Sequence, residues 1–159
     1  MINTTLSIVD PTLKNNYIQT ILDVNIDENV KIKGYENELV QAFINIINNT
    51  KDAINEKISQ EAERYLFVSV CLRDKHIDII FKDNAGGIDS AVIDRIFEPY
   101  FTTKHKSVGT GLGLSMAYKI ITQRHNGSIV VENSSYKYNN QNYTGAMFTI
   151  SFESSIPNK

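Results

Sequence analysis

At 159 residues and 42% apolar composition, the chain has the length of one domain and enough apolar side chains to fill a core. Its formal net charge of -2 is built from interspersed acids and bases without a basic block, which argues against nucleic acid or an anionic membrane surface as the main partner. No apolar run approaches the roughly 20 residues needed to cross a bilayer, and no basic-then-apolar signal pattern follows Met1, so a cytoplasmic location is expected. Cys71, the single cysteine, cannot form an internal disulfide, and its place in the apolar run 66–72 makes it an expected core thiol.

Residues 2–9 carry Ile2, Leu6, Ile8 and Val9, too few to separate a helix end from an edge strand. Asp10 before Pro11 suits the start of a short helix reaching Asn16. Leu22, Val24 and Ile26 alternate with Asp23, Asn25 and Asp27, and 30–33 repeats the alternation after a polar turn, so two strands are expected over 18–33. Beyond Gly34, Leu39, Phe43, Ile46, Ile47 and Ile54 recur at three- and four-residue spacing, the signature of the longest helix. Asn45, Asn49, Asp52 and Glu56 share that spacing and form one polar stripe, either a solvated face or, through Asn49, an oxygen ligand for a hard cation such as magnesium. Asparagines at 45, 48 and 49 oppose helix propensity, so the stripe calls for a reason.

Apolar runs at 66–72 and 77–81, separated by Arg73-Asp74-Lys75-His76, predict an antiparallel hairpin whose second strand delivers Asp83 at its end. Residues 88–97 suit a short helix that Pro99 stops, and a stretch without period runs from there to Gly111, long enough to suggest function. Helical spacing returns from Leu112 to Arg124 and ends at Asn126-Gly127. Strands are expected at 128–132 and 145–152, joined by a polar loop rich in tyrosine and asparagine, with a frayed tail from Glu153. The expected class is α+β: a two-layer α/β sandwich with a mixed five-stranded sheet and about three helices on one face. Gly86, Gly87, Gly109, Gly111 and Gly113 cluster where apolar runs stop and start, places where backbone can approach a phosphate closely.

Four segments in order, Asn45-Ile46-Ile47-Asn48-Asn49-Thr50-Lys51-Asp52-Ala53, Asp83-Asn84-Ala85-Gly86-Gly87-Ile88, Phe97-Glu98-Pro99-Tyr100-Phe101-Thr102-Thr103-Lys104 and Gly109-Thr110-Gly111-Leu112-Gly113-Leu114-Ser115, resemble the N, G1, F and G2 boxes of the catalytic ATP-binding domain of bacterial sensor histidine kinases. Any one box is weak evidence, whereas four in sequence are strong. The resemblance covers about 18–152 and implies the Bergerat (GHKL) fold shared with type II topoisomerases, heat-shock chaperones and mismatch-repair ATPases. It implies ATP and Mg²⁺ as ligands, with Asn49 on the metal and Asp83 accepting a hydrogen bond from the adenine amine. It further implies Asp52, Ala53, Gly87 and Ile88 around the nucleotide, Thr103 and Lys104 on phosphate oxygens, and Gly109, Thr110, Gly111, Leu112, Gly113 and Leu114 as a lid ending on a helix N-terminus. Phe97, Tyr100 and Phe101 are expected to pack the base of that lid, and His105 and His125 to be a surface and a helix-end residue. The glycine usual at position 85 of the G1 box is Ala85 here, strained if that position needs a positive φ unless Gly86 takes over the turn.

Related ATPases of the fold carry a water-activating glutamate where this chain has Asn45. An amide cannot take up a proton, so Asn45 and Lys104, the expected catalytic pair, favour transfer over hydrolysis. The resemblance then implies a protein histidine kinase domain whose acceptor histidine lies on a separate dimerisation domain of the same protein, with a response regulator downstream and neither nucleic acid nor membrane as a partner. Residues 1–17 are expected to be a linker stub from that dimerisation domain, 18–153 the catalytic domain and 154–159 a tail. A nucleotide-binding regulatory module without chemistry and an anti-sigma-type serine kinase remain the alternatives.

Overall fold

The computed structural model describes residues 1–102 and 111–155. Five strands, β1 (Gln19–Asn25), β2 (Tyr65–Arg73), β3 (His76–Asp83), β4 (Ser128–Tyr138) and β5 (Gln141–Glu153), form one sheet in the order β1-β2-β3-β5-β4. β1 runs parallel to β2 and every other pair is antiparallel, so the sheet is mixed. The register lines up apolar side chains in rows across the strands: Val68, Phe81, Phe148 and Val131 form one, and Val70, Ile79, Ile150 and Ile129 the next.

The helices are α1 (Ile2–Asn15), α2 (Glu36–Lys57) and α3 (Gly113–Lys119), the last running on through a π turn at Ile120–Arg124. Leu39, Phe43, Ile46, Ile47 and Ile54 on α2 are fully buried and join the strand rows in one core, with the Phe43 ring 5.6 Å from that of Phe81. Each such side chain contributes about 1.5–3 kcal/mol, which is what holds asparagine-rich α2 helical against its local propensities. The opposite face of the sheet is half-covered by its own side chains: Lys82 lies 3.8 Å from the centre of the Tyr136 ring, and Phe67, Ile80 and Met147 are partly exposed. Cys71, expected in the core, stands half-buried on that face because the alternation of β2 turns Val70 inward instead.

Several local expectations give way to tertiary packing. Residues 2–15 are one helix, and Pro11 lies inside it instead of at its start. An interior proline costs about 3 kcal/mol, but α1 buries Ile2, Val9 and Leu13 at about 1.5–3 kcal/mol each, and the larger sum wins. The second strand expected at 30–33 is a single bridge between Lys31 and Ser155, which also ties down the start of the expected tail. The helix expected at 88–97 shrinks to one 3₁₀ turn, Ile93–Arg95, and both backbone groups of Ile88 are bound by the Asn133 side chain instead. The expected loop between the last two strands is itself strand, paired out to Tyr138 and Gln141 around Asn139-Asn140. Both asparagines have positive φ, 48° and 61°, the conformation of a tight primed hairpin turn, and Tyr138 stacks edge-on against Tyr65 at 5.0 Å. Among the described residues no helix is long and apolar enough to cross a membrane.

Candidate functional site

Asp83 ends β3 with 2% exposure, and its Oδ1 accepts the backbone N–H of Ala85 at 2.9 Å and of Ala146 at 3.2 Å. Burial raises its pKa above the ordinary carboxylate value, opposed by the two amides and by the charge of Lys57. β5 reaches Ala146 only because residue 145 is glycine: a Cβ there would lie 1.7 Å from the Asp83 carbonyl oxygen. The Tyr136 hydroxyl donates to that same carbonyl at 2.5 Å, so β4 and β5 both grip the residue.

The chain then turns through Gly86 and Gly87, with φ of 89° and 90°. Ala85 is not among the positive-φ residues, so the alanine is unstrained and the left-handed conformation is carried by the two glycines. Gly86 N–H donates to the Thr144 carbonyl at 2.8 Å, and the Lys57 ammonium, from the last turn of α2, donates to the Gly87 carbonyl at 2.7 Å. Ile88 is partly buried against the core.

α2 forms the wall beside this loop. Asn45, Asn49, Asp52 and Ala53 are half-buried along it, while Glu56 at the end of the stripe is exposed. Asn45 Oδ1 accepts from Gln41 Nε2 at 3.0 Å, whereas its buried Nδ2 has no acceptor among the described residues. Lys51 pairs with Asp52 at 3.6 Å. The beginning of α3 closes on the same helix, since a Cβ on Gly113 would meet Asn45 Cβ at 3.9 Å. Gly111, with φ of 71°, takes the Tyr100 N–H on its carbonyl at 2.8 Å, and a Cβ there would stand 2.5 Å from the Tyr100 carbonyl carbon. The Leu112 carbonyl starts the helix by accepting Met116 N–H and Ser115 Oγ, and Leu114 is buried. Phe97 packs on the domain against Tyr118 and Phe148, Phe101 lies 4.6 Å from the Arg95 guanidinium, and Tyr100 is exposed. Thr103, Lys104, Gly109 and Thr110 lie outside the described residues, as does His105.

The structure therefore gathers the N-box stripe, the G1 turn and the start of α3 around α2 and the end of β3. Sequence reasoning missed Lys57, Asn133, Tyr136 and Gly145, which shape the turn from outside any motif. Only Gly145 left a signal, as a lone glycine opening an apolar strand. His125 proves more than a helix-end residue: its Nε2 accepts the Tyr35 N–H at 2.9 Å and its ring fills the space beside Gly34, fixing the entrance to α2.

The family model described as histidine kinase-, DNA gyrase B- and HSP90-like ATPase matches residues 34–156. The two-component sensor PprA of Pseudomonas aeruginosa is 31% identical over 79% of this chain, and sporulation kinase A of Bacillus subtilis 34% identical over 79%. The chain spans 13% and 18% of the length of these two relatives. Among solved structures, a nucleotide-free form of the catalytic domain of the histidine kinase ThkA superposes with a TM-score of 0.75 at 22% identity, covering 96% of this chain and 89% of that one. ThkA in complex with the response regulator protein TrrA gives 0.69 at 19% identity, over 99% of this chain and 40% of that one. The five-stranded mixed sheet with its three helices is the GHKL ATPase fold of histidine kinase catalytic domains. With four motif segments in sequence order and a family match over most of its length, the chain belongs to the histidine kinase-, DNA gyrase B- and HSP90-like ATPases.

Proposed function

We propose that this chain is the ATP-binding catalytic domain of a sensor histidine kinase, which delivers the γ-phosphoryl group of ATP to a histidine on a dimerisation domain of the same protein. The observation that carries this reading is Asp83: a buried carboxylate with two backbone amides on Oδ1, followed after Asn84-Ala85 by two glycines that let a flat ligand approach the backbone. Such a carboxylate selects a ligand offering an amine donor, and burial penalises a base that cannot supply one.

The Asn45, Asn49 and Asp52 wall offers oxygen donors, the chemistry that suits magnesium, and Asn49 is the proposed protein ligand. When bound, magnesium supplies charge neutralisation across the phosphates. The Asn45 amide, whose Nδ2 has no acceptor among the described residues, can donate a hydrogen bond but cannot take a proton from water, so the site orients a phosphoryl donor for an incoming nucleophile without preparing hydrolysis. Ala53, Gly87 and Ile88 line the nucleotide, Thr103 and Lys104 hold phosphate oxygens, Lys104 assists transfer, and Gly109, Thr110, Gly111, Leu112, Gly113 and Leu114 close over it. Residues 18–153 are the catalytic unit and 1–17 the approach from the dimerisation domain. A response regulator lies downstream, as the name of the two-component sensor PprA and the TrrA complex of ThkA support, and the cytoplasm is the compartment proposed for the domain.

The test supplies the chain with a histidine-bearing helical domain and γ-labelled ATP. An acid-labile, base-stable label on that domain is expected, and Asn49→Ala should abolish it. Label that survives acid points to serine transfer, and nucleotide binding without any label points to a regulatory module.

A further inference from the structure

We infer that Asn133 on β4, together with Lys57, is a positioning residue that sets the adenine-facing backbone of the Gly86-Gly87-Ile88 turn; this rests on the nucleotide-binding reading above. Two consecutive glycines with positive φ form the least self-supporting stretch a chain can place beside a ligand, because they lose the most backbone freedom on ordering. Their conformation has to be imposed from outside.

The carboxamide of Asn133 does so by imitating a strand neighbour. Its Oδ1 accepts the Ile88 N–H at 2.8 Å and its Nδ2 donates to the Ile88 carbonyl at 2.8 Å, saturating both backbone groups of one residue with a single side chain. The same Oδ1 lies 2.7 Å from where a Gly87 Cβ would stand, so the amide is seated directly against the glycine. Lys57 completes the clamp on the preceding carbonyl at 2.7 Å. Asn133 belongs to the β4–β5 pair opposite Ala146, and Ala146 is the residue whose N–H holds the Asp83 carboxylate. One register thus fixes both the carboxylate and the turn beside it, and the distance between them sets which purine fits. Aspartate would keep the acceptor but place a carboxylate oxygen against the Ile88 carbonyl, and alanine would remove both bonds.

The test measures ATP, ADP and GTP binding to the wild-type chain, Asn133→Ala and Asn133→Asp, alongside melting curves and hydrogen exchange of the Ile88 amide. Loss of two hydrogen bonds predicts ATP and ADP affinities each about tenfold weaker in Asn133→Ala, with the preference for ATP over GTP reduced by a similar factor. Ile88 exchange should accelerate in the ligand-free variant, with a fall of about 2–4 °C in melting temperature for two exposed hydrogen bonds. In phosphotransfer with the helical domain, KM for ATP should rise while kcat at saturation stays within about threefold. Unchanged ATP affinity, unchanged Ile88 exchange, or weaker binding with an intact ATP/GTP ratio would overturn the inference while leaving the proposed function standing. A wild-type chain that binds no Mg·ATP would overturn both.

Discussion

Replacing Asp83 by asparagine separates what this residue does for the fold from what it does for a ligand. Asparagine keeps Oδ1, so the N–H groups of Ala85 and Ala146 retain their acceptor at 2.9 Å and 3.2 Å, and the variant should fold. The other carboxylate oxygen becomes an NH₂ group, and an amine donor on the ligand then meets a donor. A hydrogen bond to a charged acceptor is worth about 1.5–3 kcal/mol, and stranding a buried donor adds about 1–3 kcal/mol, so a loss of about 3 kcal/mol or more is expected. That is at least about a hundredfold in Kd for Mg·ATP, readable by calorimetric titration. Stability should move the other way. Burial raises the folded pKa of Asp83 above its ordinary value of 3.8, so ionisation favours the unfolded chain. Below that ordinary value both side chains are neutral and the two proteins should melt alike. As pH rises through it the wild type begins to lose stability relative to Asp83→Asn, and the gap stops widening above the raised folded pKa. Asp83→Asn that binds Mg·ATP within threefold of wild type, or that melts lower than wild type at pH 7, would refute this account of the carboxylate.

Gly145→Ala should destabilise the domain by about 3 kcal/mol or more, since overpacking there acts on main chain. The methyl group would sit 1.7 Å from the Asp83 carbonyl oxygen, and a thermal melt should show a drop of about 6–12 °C. His125→Ala removes the acceptor of the Tyr35 N–H and the filling beside Gly34, and should cost about 2 kcal/mol, a fall of about 4–8 °C, with Mg·ATP affinity changed less than threefold. A fall below 1 °C in that melt would show that the ring does not secure the start of α2. Gly113→Ala should fold normally, because among the described residues a Cβ there meets Asn45 Cβ alone, at an ordinary contact distance of 3.9 Å. A large loss of melting temperature in this variant would mean that α3 packs on α2 more tightly than a 3.9 Å contact allows.

Periodicity determined most of the framework directly from the residues. The three- and four-residue spacing of Leu39, Phe43, Ile46, Ile47 and Ile54 could be buried only by a helix, while the short apolar runs of β2 and β3 and the alternation in β5 pointed to strands. The four boxes also fixed which residues to look at, because their chemistry sits in short contiguous segments. Local reading failed where long-range burial outweighed a local signal. Pro11 is carried inside α1 by the core contacts of Ile2, Val9 and Leu13, and the polar tyrosines of β4 and β5 become strand because their rings pack on Tyr65 and Phe67 across the sheet. Only tertiary structure could decide how Asp83 and its glycine turn are held, since the groups that hold them, Lys57, Asn133, Tyr136, Thr144 and Ala146, are brought there by strand register and helix docking, with no short-range pattern to announce them.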